Sequence, residues 1–300
     1  MRVGIIGLGW VGSSVAISVL QRGVARELLL FDVKEGLAEG EAMDLSHGAA
    51  YLPTATVRAA SSLEEFLDLD AIVIAAGRGG TAEESRLDLN RGNATILRSI
   101  TGQLRGSKGL IVVLTNPVDV MVRVAQQASE RDPTQVIGTG TMLETARLRY
   151  AVGRDLGLDP LSVHAQVVGE HGDTNVPLWS GARIGGRPLR QWPGWTTDRE
   201  RALAEEVRTA AYDIIRRKGV TNHAIGLVTA SLLGWTSGRA DRVLTVSRVR
   251  EAFDGVALSV PTLVGKSGAT ELVAPEMDEG ETAALQHSAE VLDAAWNDVR

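Results

Sequence analysis

His171 stands in Gly169-Glu170-His171-Gly172-Asp173-Thr174, straight after an apolar run, His164 to Val168, that reads as a strand. Neighbouring glycines argue for an exposed, unhindered imidazole. An imidazole titrates near neutrality, which suits it to giving and taking protons. A lone histidine is more often structural, so its weight depends on its company. The start of the chain supplies a second chemistry. Gly7-Leu8-Gly9-Trp10-Val11-Gly12 follows the strand-like Val3-Gly4-Ile5-Ile6 and opens a helical pattern. In that setting Gly7 permits a tight turn, Gly9 lets a pyrophosphate approach the backbone, and Gly12 lets helix and strand pack closely. The helix N-terminus offers free N–H groups and a positive dipole end to phosphates. Asp32 ends the second strand, twenty residues past Gly12. A carboxylate there accepts hydrogen bonds from a ribose and repels a 2′-phosphate, which favours NAD over NADP. Lys34 nearby leaves room for some NADP use. A nicotinamide site and a neutral-range base together suit oxidation of an alcohol to a ketone, which releases a hydride and a proton.

These groups need a frame. Val3 to Ile6, Glu27 to Phe31, Ala71 to Ala75, Leu110 to Leu114 and Gln135 to Ile137 are candidate strands, with helical patterns between most of them. Such alternation implies parallel strands with crossover helices, an α/β doubly wound (Rossmann) sheet over residues 1–140. From residue 141 to 300 the pattern changes to that of a second, α+β domain. Gly185-Gly186 predicts a hairpin turn between Ala182-Arg183-Ile184 and Arg187-Pro188-Leu189. A helix is expected from about Asp198 to Lys218, with Leu203, Val207, Ala211 and Ile214 on one face. Strands follow at Val243 to Ser247 and Ala257 to Val264, then a last helix marked by Leu285, Leu292 and Trp296. Leu189 to Thr197 reads as a loop.

Composition narrows the classes. The 300 residues are 44% hydrophobic and 23% charged, with a formal net charge of −6, values that favour a globular chain and give no reason to expect nucleic acid or an anionic membrane as partner. There is no cysteine, which rules out disulfides, thiolate nucleophiles and cysteine-ligated metals and accords with a cytoplasmic setting. No metal site is expected. No apolar run approaches the roughly 18 residues of a membrane helix. The chain opens directly on its first strand, so neither a signal peptide nor a long N-terminal arm is expected.

Over nearly its whole length the chain resembles the lactate/malate dehydrogenase family, most nearly its bacterial L-lactate dehydrogenases. The matching stretches are Gly7 to Gly12, Ala42 to His47, Glu84 to Leu89, Thr115 to Asp119, Gly138 to Thr141, Ala146 to Tyr150, Gly169 to Thr174 and Lys218 to Asn222. The resemblance implies an NAD-dependent L-2-hydroxyacid dehydrogenase acting on a small 2-keto or 2-hydroxy acid, and a homodimer or homotetramer. It makes His171 the acid/base, Arg147 the bidentate holder of the substrate carboxylate, and Arg86, in a loop after the fourth strand, the group that polarises the C2 carbonyl. Asn116 would hydrogen-bond near nicotinamide and substrate oxygen. Thr221 and Ile225 would line the substrate pocket and the nicotinamide face. The glycine-rich stretch from Gly77 leading to Arg86 looks like a lid.

Two positions depart from the family pattern. The carboxylate that orients the catalytic histidine is usually an aspartate, and here it is Glu144, one methylene longer. The position six before the lid arginine usually carries glutamine in lactate enzymes and arginine in malate enzymes; here it is Gly80. Glycine offers no charge for a second carboxylate and leaves space for 2-keto acids larger than pyruvate. Arg78, two residues away, would restore malate recognition if it turned into the pocket. Arg149 and His164 match positions that bind fructose 1,6-bisphosphate in allosteric bacterial members and are candidate effector residues, although a helix-surface arginine and an ordinary strand histidine are the plainer reading. The alternatives from other classes are a malate dehydrogenase of the lactate-dehydrogenase-like type, a catalytically silent NAD-binding protein, and an NAD-dependent glycosidase, which typically needs a cysteine among its metal ligands.

Overall fold

The computed structural model describes residues 1–79, 86–238 and 240–300; for residues 86 and 87 it describes the backbone alone. Short apolar runs form the centre. β1 (Arg2–Ile6), β2 (Glu27–Phe31), β3 (Thr56–Ala59), β4 (Ala71–Ile74), β5 (Leu110–Val113) and β6 (Val136–Gly138) pair in parallel. Between them run α1 (Trp10–Gln21), α2 (Leu37–His47), α3 (Arg86–Gln103) and α4 (Val118–Ser129). Every residue of β4 and β5 is buried, as expected of strands covered on both faces. The strand order β6-β5-β4-β1-β2-β3 reverses direction between β1 and β4. Ligands of such sheets bind where the order reverses, at the carboxyl ends of the strands.

The second half is α5 (Met142–Leu156), β7 (Val163–His164), β8 (Val167–Val168), β9 (Val176–Pro177), β10 (Arg183–Ile184), β11 (Arg187–Pro188), α6 (Thr197–Lys218), α7 (His223–Thr236), β12 (Arg242–Arg250), β13 (Val256–Gly265), β14 (Gly268–Leu272) and α8 (Glu279–Asn297). β12, β13 and β14 are antiparallel and extend the parallel sheet at the β6 edge, joined to it where Ser247 lies opposite Gly138. One sheet thus runs through both halves, with nine strands among the described residues. Apolar residues of α3, α4 and α8 pack on one face and those of α1, α2 and α7 on the other. A third core joins α5 and α6 to the small β7-β10-β11 sheet through Leu148, Val163, Ile184 and Leu203.

Local chemistry accounts for several boundaries. Gly185 and Gly186 have φ of 55° and 83° and turn the β10–β11 hairpin, the backbone that a two-residue hairpin loop demands. α6 ends at Gly219 in the left-handed region. α8 starts with a capping box in which Asp278 and Glu281 satisfy each other's backbone N–H groups.

Two expectations change. The run His164 to Val168 is not one strand: β7 pairs with β10 and β8 with β9, in separate sheets. Between them the Ala165 carbonyl accepts from Arg149 Nε and the Gln166 carbonyl from Leu178 N, so the ladder is interrupted. Arg86 opens α3 rather than lying in a loop.

Candidate active site

The loop after β1 is built around its glycines. Gly7 has φ 92°, and a Cβ there would stand 2.4 Å from Ala76 N. A Cβ on Gly12 would stand 1.9 Å from the Gly7 carbonyl oxygen. Both positions therefore tolerate no side chain. Gly9 differs, because a Cβ there meets nothing within 4 Å among the described residues. Its cost would fall on whatever approaches the backbone from outside. Gly9 also precedes α1 without a side-chain cap, leaving N–H groups of the first turn for an anion. Asp32 ties this loop to the end of β2: Oδ2 accepts from Leu8 N at 2.7 Å and Oδ1 from Lys34 N at 2.8 Å. Each oxygen keeps a further lone pair for a ribose hydroxyl. Open space over Gly9, an uncapped helix start and a carboxylate at the strand end fit the pyrophosphate and ribose of NAD.

His171 follows β8 in a loop held at five points. Its main-chain N–H donates to Asp119 Oδ2 at 2.7 Å. Glu170 N donates to Ser288 Oγ, and the Glu170 carboxylate accepts from Thr174 N and Oγ1. Gly169 pairs with Ser259 on β13. Tyr212 of α6 donates to Asp173 at 2.9 Å. The imidazole is more enclosed than its neighbouring glycines suggested: its side chain is 22% exposed, because Glu144 on α5 and the carboxylate of Asp119 on α4 close around it.

Glu144 Oε2 lies 2.9 Å from His171 Nδ1 and Glu144 Oε1 accepts from Arg147 at 3.0 Å. One buried carboxylate therefore serves two cationic groups, Arg147 one turn along the same helix and His171 on the loop after β8. Burial opposes a charged imidazole, but the charge and hydrogen bond of Glu144 outweigh it, and His171 is raised to about 9. Burial also opposes ionisation of Glu144, yet His171 and then Arg147 hold its carboxyl below the usual range. With Nδ1 donating to Glu144, Nε2 is left for a substrate oxygen. Burial raises Asp119 to about 6, against the Ser247 hydroxyl, the His171 N–H and the His171 charge, which lower it; Glu170 adds to the rise.

His171, Glu144, Arg147, Asn116 and Asp119 line one cavity of about 360 Å³, walled on its other side by Val207, Arg208, Ala211, Tyr212 and Ile215 of α6. Asn116 sits between β5 and α4, its carbonyl held by Asn93 Nδ2 at 3.0 Å. The structure does not bring every expected residue there. Thr221, just before α7, and Ile225, in its first turn, are half-buried and lie outside that wall. Asn222 binds Ser14 of α1 at 2.8 Å, so Thr221 and Ile225 lie near the helix that Gly9 opens. Arg78 is not among the residues that line the cavity; its guanidinium packs against Gly92 and donates to the Asp88 carbonyl. Gly80, the stretch 81–85 and the Arg86 side chain lie outside the described residues. Arg149 and His164 share the lining of a separate cavity of about 280 Å³ with Glu276. Burial lowers the pKa of Arg149, and Glu276 pairs with Arg183 at 2.7 Å.

The lactate/malate dehydrogenase NAD-binding domain matches residues 1–138, and the alpha/beta C-terminal domain of the same family matches residues 141–300. The chain belongs to the lactate/malate dehydrogenase family. Among relatives in this family, the L-lactate dehydrogenase of Kosmotoga olearia is 41% identical over 308 residues, covering 98% of this chain and 95% of that protein. That of Salinibacter ruber is 41% identical over 300 residues, covering 97% and 95%. The structure of the minor L-lactate dehydrogenase of Enterococcus mundtii in its ligands-bound form superposes with a TM-score of 0.96 at 35% identity, covering 100% of this chain and 98% of that one.

For a lactate/malate dehydrogenase family member, two features of the cavity escaped sequence reasoning. Asp119 stood in a matching stretch without a role, because nothing in sequence marks a contact across 52 residues. Arg208 lines the cavity, and its Nε is buried without a hydrogen-bond partner among the described residues, although a terminal nitrogen pairs with Glu205. Its place four residues before Tyr212, on the same helix face, was the available signal.

Proposed function

We propose that the chain is an NAD-dependent L-2-hydroxyacid dehydrogenase whose main reaction interconverts pyruvate and L-lactate. The observation that carries this reading is the His171–Glu144–Arg147 cluster on the wall of one cavity. Arg147 keeps N–H donors beyond the one given to Glu144, enough to hold a carboxylate through two parallel bonds. His171 donates its Nε2 proton to the C2 oxygen during reduction and takes it back during oxidation. Glu144 holds the ring through Nδ1 and stabilises its protonated form. Asn116 offers its amide to the same oxygen, and Arg86 is the carbonyl-polarising group. When bound by Gly7, Gly9, Gly12 and Asp32, NAD supplies the hydride acceptor or donor for C2. Thr221 and Ile225 border the nicotinamide end.

Gly80 removes charge from the specificity position, which favours monocarboxylic keto acids, including ones larger than pyruvate. Arg208 favours a second reading, in which its guanidinium receives the distal carboxylate of oxaloacetate. Comparing kcat/KM for pyruvate, 2-ketoisocaproate, phenylpyruvate and oxaloacetate with NADH decides between them. Preference for oxaloacetate, lost in Arg208→Leu, would make malate the product; no turnover of any keto acid would leave an NAD-binding protein without this chemistry.

Arg149 and His164 border one cavity and form the candidate fructose 1,6-bisphosphate site; an unchanged KM for pyruvate in its presence would remove that role. A homodimer or homotetramer accords with the exposed Trp10, Met43 and Tyr51 on and beside α1 and α2, and sedimentation of the full chain tests it. A cytoplasmic location accords with the absence of cysteine. Among the described residues no helix is long and apolar enough to cross a membrane.

A further inference from the structure

Arg250, near the end of β12, is 4% exposed and lies within ion-pair distance of no carboxylate among the described residues. Its hydrogen bonds go to neutral oxygens: Nε donates to the Leu258 carbonyl at 3.3 Å, and a terminal nitrogen to the Val246 carbonyl at 3.4 Å and the Thr262 hydroxyl at 2.5 Å. Burial lowers its pKa to about 9, and the like charge of Arg248 acts in the same direction. Arg248, two residues earlier, shares that face of the strand. Its Nε is buried without a partner among the described residues, and a terminal nitrogen donates to the Thr270 carbonyl at 3.2 Å. Both arginines line a cavity of about 370 Å³ bounded by Asp132, Pro133 and Leu272. Asp132 and Glu251 also line it; neither comes within 4.0 Å of a guanidinium nitrogen there, and their charges partly offset the burial of Arg248 but not that of Arg250. Asp132 is instead turned to Thr134, whose N and Oγ1 donate to it at 2.8 and 2.7 Å.

A guanidinium buried without a counter-charge is costly, and an apolar residue of similar volume would serve the fold better. We propose that Arg248 and Arg250 form a binding site for a phosphate group, distinct from the His171 cavity and independent of the reaction catalysed there. Two planar guanidinium forks match the tetrahedral array of phosphate oxygens. The cavity also has room for a small carbon skeleton, whose hydroxyls Asp132 and Glu251 would accept. The phosphate is therefore either free or carried on a small hydroxylated molecule.

The test is thermal unfolding of the full chain with inorganic phosphate or glycerol 3-phosphate, against sodium chloride at equal ionic strength. The parent should gain roughly 2 °C or more at concentrations well above Kd. Arg250→Met should lose that gain and, without phosphate, melt at or above the parent, because the lone buried charge is gone. Arg248→Gln should show a smaller gain and carries the test if Arg250→Met fails to fold. Both variants should reduce pyruvate as the parent does. A larger gain with glycerol 3-phosphate marks a carried phosphate, and equal gains mark the free ion. The proposal is overturned by the same gain in parent and both variants, since phosphate would then act at the Gly9 loop or beside Arg149. It is equally overturned by no gain with either probe.

Discussion

Glu144 Oε2 stands 2.9 Å from His171 Nδ1, and the other oxygen of the same carboxylate holds Arg147. The extra methylene relative to the family's usual aspartate is thus accommodated, with the His171 imidazole and the Arg147 guanidinium both held by one buried carboxylate.

Replacing that anion should separate charge from reach. Glu144→Gln should cost on the order of 100-fold or more in kcat for pyruvate reduction, since an amide cannot stabilise the imidazolium. Glu144→Asp should retain more than Glu144→Gln. The alkaline limb of the pH profile should move to lower pH in Glu144→Gln, because the carboxylate is what raises His171. Equal, wild-type rates in both variants would remove Glu144 from the mechanism.

The same pair should leave a mark on stability. The His171 pKa in the fold, about 9, exceeds its ordinary 6.5. Its contribution is therefore complete below about pH 6.5 and is lost as pH rises through 9. Glu144 is depressed, so its own contribution is present above the usual carboxylate range and lost as pH falls through the depressed value. The Tm of the cofactor-free parent should fall between pH 6.5 and 9 more steeply than that of Glu144→Gln.

Asp119 holds the His171 backbone rather than its ring. Asn at this position keeps an acceptor for that N–H and removes one negative charge. Asp119→Asn should leave the KM for pyruvate within about threefold of the parent and shift the alkaline limb to lower pH, with Glu144, Arg147 and Glu170 still in place around the imidazole. Asp119→Leu, which abandons the N–H, should lose kcat by roughly 10- to 100-fold. An unmoved pH profile in Asp119→Asn would show that its charge is not felt at His171.

Gly9 and Gly12 should respond differently to the same methyl group. Gly12→Ala would drive a Cβ into the Gly7 carbonyl and should lower Tm. Gly9→Ala meets open space in the protein and should keep Tm near the parent value, while weakening NADH binding by roughly tenfold or more, as read by fluorescence titration. Undiminished NADH affinity in Gly9→Ala would move the pyrophosphate away from this loop.

What could be read in advance was local. β2 was expected at Glu27 to Phe31 and runs over those residues, because five residues with a continuous apolar centre admit little else. The glycine loop was legible because its backbone demands are met by glycine alone. β3, Thr56–Ala59, was not: it is an edge strand with exposed and half-buried residues in alternation, and its sequence carries little apolar signal. The enclosure of His171 and its tether to Asp119 depend on partners far along the chain, which no window of neighbouring residues contains. The division of the apolar run from His164 to Val168 between two sheets has the same origin.

The join between Gly138 on β6 and Ser247 on β12 also has a temporal meaning. During synthesis the parallel strands can assemble once β6 has emerged, yet the strand that covers its open side is made about a hundred residues later. At typical elongation rates that interval lasts on the order of ten seconds. Throughout it the nascent chain presents Val136, Ile137 and Gly138 as an unpaired edge, the kind of template on which neighbouring chains aggregate. Ribosome-stalled chains ending between β6 and β12 should therefore be the ones most dependent on chaperones.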